Sequence, residues 1–155
     1  MRFNARISTL VSIIYAASTF VALITPPAFA DVQFRDALDD SPLDLSPIKG
    51  EVFTDQVKKF HETGIDPYNG NADAIAIGKD LFENNCVACH EEGATGGMGP
   101  SLVDDVYTNA RANTDLGKFE IIHSGASGAM RSFSKRGITQ DQILHLIAYI
   151  NSLKK

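Results

Sequence analysis

Cys86-Val87-Ala88-Cys89-His90 is the stretch that decides how this chain folds. It reads C-x-x-C-H, the signature of covalent haem attachment. Two thiols three residues apart on one helical turn can both reach the vinyl groups on neighbouring edges of a porphyrin. The adjacent imidazole then projects to the iron from the same side. Other readings of these residues fit less well. A structural zinc site needs four ligands, and the remaining histidines, His61, His123 and His145, show no paired spacing. A thioredoxin-like C-x-x-C belongs in a βαβ setting, and no run with strand-like alternation occurs. A short-loop disulfide would have no use for His90. The motif therefore points to one covalent haem c, bonded through Cys86 and Cys89, with His90 on the iron.

The residues after the motif supply candidates for the rest of the site. Met/His ligation suits electron transfer, because a soft thioether stabilises ferrous over ferric iron and raises the potential. Past the leader described below, only Met98 and Met130 remain. Met98 lies eight residues after His90, in a short loop expected to stay on the histidine side of the haem plane, and reads as core filler. Met130 lies forty residues on, with room for the chain to cross to the other face, and is the preferred sixth ligand. In Gly99-Pro100, a carbonyl is placed to accept the Nδ1 proton of His90 and raise its donor strength. His123 and His145 fall on helices with apolar faces, as partly buried or surface residues. His61 is read as solvated.

The flanking sequence reads as helices. Phe53, Val57 and Phe60 recur on one helical face, and Gly64 and Pro67 end that helix near Thr63. A second helix is expected from Asp73 to about Asn85, with Ile77 and Leu81 on one stripe, Phe82 beside it, and Gly78 admitting another helix closely. Residues 91–114 lack the periodicity of a long element. Asp115–His123 is a short helix with Leu116, Phe119 and Ile122 inward and Gly125 just past its end. The last helix opens with Thr139 and Gln142 as a capping box. It carries Ile143, Leu146, Ile147, Ile150 and Leu153 on a broad apolar face, with Lys154 and Lys155 at the negative end of its dipole. The chain is thus expected to be all-α, with a thin core that haem would fill. Residues 31–50, rich in Asp and Pro, read as an irregular, extended lead-in.

At the other end, Met1 to Arg6 carries two arginines, Ile7 to Ile24 is apolar, and Ala28-Phe29-Ala30 closes the segment. A basic start, an apolar middle and an A-x-A end make a secretory signal peptide. The expected organisation is a signal peptide at 1–30, an N-terminal extension at 31–69 and the haem domain at 70–155, exported and without a membrane anchor once the leader is removed. The full chain of 155 residues carries a net charge of −5. Without Arg2 and Arg6 it holds 12 basic and 19 acidic residues, a charge of −7. That balance speaks against a nucleic-acid binder, which needs a concentrated cationic face. It favours steering of a basic partner, although Lys58, Lys59, Lys135 and Arg136 could form a local cationic patch.

With these residues in view, positions from about 70 to 153 resemble a class I c-type cytochrome. The likeness rests on a helix with Gly78 and Phe82, then C-V-A-C-H, then G-P-S-L at Gly99–Leu102, then S-G-A-M-R-S-F at Ser127–Phe133, and a terminal helix with Tyr149. The resemblance implies a cytochrome c fold wrapped around the haem, with Gly78 and Phe82 crossing the Tyr149 helix and with His90 and Met130 as the axial pair. Arg131 stands where that family commonly has Pro. The lead-in, with Phe34-Arg35-Asp36-Ala37, Leu43-Asp44-Leu45-Ser46, Val57-Lys58-Lys59-Phe60, Thr63-Gly64 and Pro67-Tyr68-Asn69, is similar to cytochrome c-L. So is Asn113-Thr114-Asp115-Leu116-Gly117. This second resemblance implies a periplasmic one-electron carrier rather than an enzyme. Its donor would be a quinoprotein (PQQ) methanol dehydrogenase, or a related lanthanide-type methanol or quinoprotein ethanol dehydrogenase, and its acceptor a downstream cytochrome or oxidase. Three other readings stay open: a general c-type shuttle with another donor, an open-site haem peroxidase or sensor, and a subunit fixed in a larger complex and held there by an uncleaved N-terminus.

Overall fold

The computed structural model describes residues 31–154; the expected signal peptide at 1–30 lies outside them. Five α-helices organise the described residues: α1 (Asp55–Thr63), α2 (Ala72–Asn85), α3 (Val87–His90), α4 (Asp115–Ser124) and α5 (Gln140–Leu153). Short 3-10 turns cover Glu92–Ala94, Ala110–Asn113 and Ser134–Arg136. Among the described residues there are only isolated bridges, Arg35 with Pro42 and Gly125 with Arg131, and no strands. The all-α expectation holds.

Four of the five helices, all but α3, start where a short polar side chain can take an orphan amide. Thr54, Asn71, Thr114 and Thr139 accept from the backbone of Val57, Ala74, Gly117 and Gln142, satisfying donors that would otherwise go unpaired. At Thr139 the Gln142 side chain answers the cap's own N–H at 2.9 Å, completing the capping box. α1 ends at Gly64 in the left-handed region (φ 67°), where the Gly64 amide donates to Phe60 O.

α5 is the centre of the core. Ile143, Leu144, Leu146 and Ile147 are fully buried, and α2 crosses the helix closely. The crossing depends on Gly78: a Cβ there would run into the His145 carbonyl and the Tyr149 Cβ of α5. Phe82 packs beside it against Tyr149, ring centroids 5.4 Å apart. The stripe expected on α2 is displaced by this geometry. Ala74, Gly78 and Phe82 face inward, one helical repeat apart, while Ile77 is 48% exposed and Leu81 only partly buried.

The lead-in contributes more than a strap. Leu43 N donates to Phe34 O and folds residues 34–43 back on themselves. Phe34 then enters an aromatic group with Phe60 of α1 and Phe119 of α4, at centroid separations of 5.6 and 5.7 Å, and Phe60 and Phe119 lie 4.9 Å apart. Burying such a side chain contributes about 1.5–3 kcal/mol. The core is therefore thicker than the sequence suggested, because the extension supplies Phe34, Val57 and Phe60 to it. A half-buried ion pair anchors the same segment: Glu120, 2% exposed, accepts from the Arg35 amide at 2.6 Å and from the partly exposed Arg111 at 2.7 Å.

Candidate functional site

α3 is a single turn whose geometry follows from C-x-x-C-H. The amides of Cys89 and His90 both donate to Cys86 O, at 3.1 and 2.9 Å, so the two cysteines and the histidine project from one tight turn. The cysteines are not bonded to each other. Burial pushes the Cys86 thiol up to about 11, against a smaller downward pull from Arg136.

His90 is buried, 8% exposed, and its Nδ1 lies 2.8 Å from Pro100 O. A carbonyl can only accept, so Nδ1 carries the proton and Nε2 keeps its lone pair for a metal. The loop that delivers this carbonyl is sewn to the motif by Gly96 N to His90 O (2.9 Å), Gly99 N to Cys89 O (2.7 Å) and Leu102 N to Ala94 O (2.9 Å). Gly99 has no room for a side chain, since a Cβ would lie 2.9 Å from His90 Cε1. Met98, in the same loop, is 79% exposed. It is not core filler: the hydrogen bonds that pull Gly99 and Pro100 against the motif turn its side chain to solvent.

Met130 stands at the end of a loop closed by Ala126 N to Met130 O at 2.9 Å and by the Gly125–Arg131 bridge. Gly125 has φ 93°, and a Cβ there would crowd Ser132 N and Met130 O. Beyond the methionine, Ser132 and Ser134 hydroxyls donate to His123 O at 2.7 and 2.9 Å, and Phe133 N to Ile122 O at 3.1 Å. The loop is thus stapled to the end of α4. Met130 is partly buried and packs against the core cluster. These residues fit a covalent haem c: unpaired thiols on one turn, an imidazole with its metal-side nitrogen free, and a thioether on a braced loop.

Other histidines depart from expectation. His61 is not simply solvated; its Nε2 lies 2.7 Å from Gln140 Oε1, and Phe34 and Phe53 meet it edge-on. His145 is stacked on Tyr68 at 4.2 Å, with Nδ1 3.2 Å from Ala74 O and Nε2 3.5 Å from Asp141. His123 is buried with neither ring nitrogen hydrogen-bonded, and desolvation lowers its pKa. Sequence reasoning also missed a polar cluster where the α1–α2 loop meets α4 and α5. There Asp66 N donates to Asp115 (3.0 Å), Tyr68 OH to Asp141 (2.9 Å) and Asn151 to Asp115 (2.8 Å). The Asx turn at Asp66–Tyr68 was the one local signal for it.

A helical shell with a C-x-x-C-H turn, a carbonyl-oriented histidine and a glycine-mediated crossing of α2 and α5 is the architecture of a class I c-type cytochrome. The family profile described as "Cytochrome C oxidase, cbb3-type, subunit III" matches residues 73–150. Cytochrome c-L of Methylorubrum extorquens is 37% identical over 123 residues, covering 79% of this chain and 62% of that protein's length. Two crystal structures superpose well. Cytochrome cL of Methylophaga aminisulfidivorans, a marine methylotroph, has a TM-score of 0.76 at 37% identity, with 79% of this chain and 81% of that one covered. Cytochrome cL of Hyphomicrobium denitrificans has a TM-score of 0.74 at 34% identity, with 81% and 76% covered. The chain belongs to the c-type cytochromes, whose cofactor is covalent haem c, and is a cytochrome c-L homologue that spans less than two thirds of the length of its Methylorubrum relative. No helix among the described residues is long and apolar enough to cross a membrane.

Proposed function

We propose that this protein is a periplasmic one-electron carrier that receives electrons from a PQQ-dependent methanol dehydrogenase, or a related alcohol dehydrogenase, and passes them to a downstream cytochrome or oxidase. The observation that carries this reading is the extent of the likeness to cytochrome c-L. It runs over 123 residues, well beyond the 73–150 segment common to the wider family, and so takes in part of the extension that packs on α4. The proposed organisation is a cleaved leader at 1–30, an extension at 31–69 and a cytochrome domain at 70–155.

The haem supplies reversible ferric–ferrous chemistry. Cys86 and Cys89 would hold it by thioether bonds, and His90 and Met130 would ligate its iron. The Pro100 carbonyl keeps His90 in the tautomer that ligates and makes it a stronger donor. The stapled loop from Gly125 to Phe133 keeps the Met130 thioether from swinging away when the charge on the site changes. A ligand set held rigid in both states lowers the rearrangement that accompanies electron transfer, and retention of both ligands distinguishes a carrier from an open-site peroxidase or sensor.

The test mixes the oxidised, haem-loaded protein anaerobically with a quinoprotein methanol dehydrogenase and methanol, and follows haem absorbance. Fast, saturable reduction is expected. No reduction, while dithionite still reduces the haem, refutes the donor assignment. Carbon monoxide checks the ligands: the ferrous protein should bind it poorly and the Met130→Ala variant readily. Ready binding by the unmodified protein would refute Met130 ligation.

A further inference from the structure

Two segments that lie far apart in sequence are held by the same end of one helix. From the extension, the Arg35 amide donates to Glu120 of α4, and the Ala37 amide donates to Ser124 Oγ at 3.1 Å. Ser124 Oγ in turn donates to Glu120 O at 2.7 Å. Asp40 meets Arg111, which is itself paired with Glu120. Among the described residues, the hydrogen bonds that tie residues 31–43 to other elements thus end on α4 or on the arginine that α4 holds.

The loop carrying Met130 is fastened to the same place. A helix end leaves its last carbonyls without partners inside the helix. Here Phe133 N takes Ile122 O, and the Ser132 and Ser134 hydroxyls share His123 O. Among the described residues, no other hydrogen bond joins residues 126–134 to an α-helix. Nor does any hydrogen bond or ion pair there join the extension to this loop directly. A surface concavity of about 360 Å³ lies between them, lined by Asp36, Leu43 and Asp44 from the extension, by Ser132 and Ser134 from the loop, and by His123. The His123 ring stacks on Phe119 at 5.4 Å, and Phe119 is also the ring that Phe34 meets. The end of α4 is therefore the common support of both segments.

We propose that the extension positions Met130 through α4. It fixes the last turn of that helix, and the last turn fixes the loop that presents the thioether. Ser124 on the extension side, and Ser132 and Ser134 on the loop side, are the positioning residues; they act through the helix end rather than on the iron. Each bond lost from this chain of contacts favours a loop that has let go of the metal. The inference rests on Met130 as the sixth ligand but not on the identity of the donor. It makes the extension a working part of the redox site: a cytochrome domain without it would hold its thioether less firmly.

Imidazole binding to the ferric, haem-loaded protein tests it, because an entering imidazole nitrogen must displace the thioether and so reports how firmly the loop is held. Ser132→Ala/Ser134→Ala removes two hydrogen bonds of ordinary net strength and should tighten imidazole binding about thirtyfold. Ser124→Ala removes one bond to the extension and should tighten it about fivefold. Both should weaken the red-edge absorption that a ferric haem shows when a thioether is on its iron. Ser124→Thr, which keeps the hydroxyl, should restore the parent behaviour. Because the extension acts through the serine pair, Ser124→Ala should add less than about twofold once that pair is gone. Asn71→Ala removes the α2 cap at a comparable cost in stability, away from α4, and should leave imidazole affinity unchanged. If the double variant fails to take up haem, Ser134→Ala replaces it in the cycle; it leaves Ser132 on His123 O and should give about a fivefold effect. An affinity that ignores Ser124→Ala, that gains the full factor without the serine pair, or that moves equally in Asn71→Ala would overturn the proposal. A parent protein whose ferric form lacks the thioether absorption would instead refute Met130 ligation itself, and this inference with it.

Discussion

Asp66→Asn is the substitution whose effect can be worked furthest from the structure. Asp66 is 2% exposed, Oδ1 accepts from Tyr68 N at 2.9 Å, and Oδ2 has no partner. Burial, reinforced by Asp115 and Asp141 and opposed by the Tyr68 amide and His145, raises its pKa from 3.8 to about 7. An acid whose pKa is higher in the folded state is bound to its proton more tightly there, so stability falls as pH rises between the two values and levels off above about 7. At about 1.4 kcal/mol per unit, a shift of roughly three units sets a ceiling near 4 kcal/mol on the cost of ionised Asp66. Local relaxation reduces this, and about 2 kcal/mol is the expected gain for Asp66→Asn at pH 8. Asparagine keeps the acceptor for Tyr68 N and presents an N–H₂ towards Asp115 and Asp141 in place of the orphaned oxygen. Urea unfolding of the haem-loaded protein, followed by far-UV circular dichroism at about pH 4.5, 6 and 8, should show a gain that is near zero at the lowest pH and largest at the highest. A gain independent of pH, or a loss at pH 8, would refute the reasoning.

Three further substitutions test other parts of the fold. Gly78→Ala should destabilise by about 2–4 kcal/mol in the same unfolding assay, although alanine favours a helix by about 1 kcal/mol, because its methyl meets the His145 carbonyl. Arg111→Met leaves Glu120 buried without its guanidinium and should cost about 3 kcal/mol, with faster proteolytic cleavage inside residues 31–50 as the specific readout. His123→Phe removes two buried, unpartnered nitrogens and should stabilise by about 1 kcal/mol at neutral pH. Its advantage should widen on acidification through the ordinary histidine range near 6.5, because the lowered pKa of His123 makes the parent protein lose stability as pH falls.

Local chemistry was the legible part of the sequence. Thr139 and Gln142 announce a helix start because the capping box involves only four residues, and C-x-x-C-H fixes a turn because its chemistry needs three side chains on one edge. Gly78 was readable as a close approach, but the face that turned inward was not. Which of Ile77 or Ala74 is buried depends on where α5 lies, and α5 is far away in sequence. Met98 went astray for a related reason: hydrophobicity suggested burial, while hydrogen bonds from Gly96 and Gly99 decided the loop. The buried roles of Asp66, Glu120 and His61 were invisible, since a polar residue reads as solvated until its distant partners are known. The extension was read as irregular, and so it is; that Phe34 would reach α1 and α4 depended on the backbone pairing of Leu43 with Phe34.

The meeting of Gly78 with Tyr149 has a bearing on how the molecule is made. The two positions are seventy-one residues apart, and a contact so distant pays its loop-closure entropy late. α3, with Cys86 at its cap and Cys89 and His90 within it, lies between them and directly after α2. Until α5 docks, that turn stays on an open edge, within reach of whatever machinery joins porphyrin to thiol. The connectivity of the chain thus lets the C-x-x-C-H turn form from neighbouring residues, while closure by α5 waits on a distant contact.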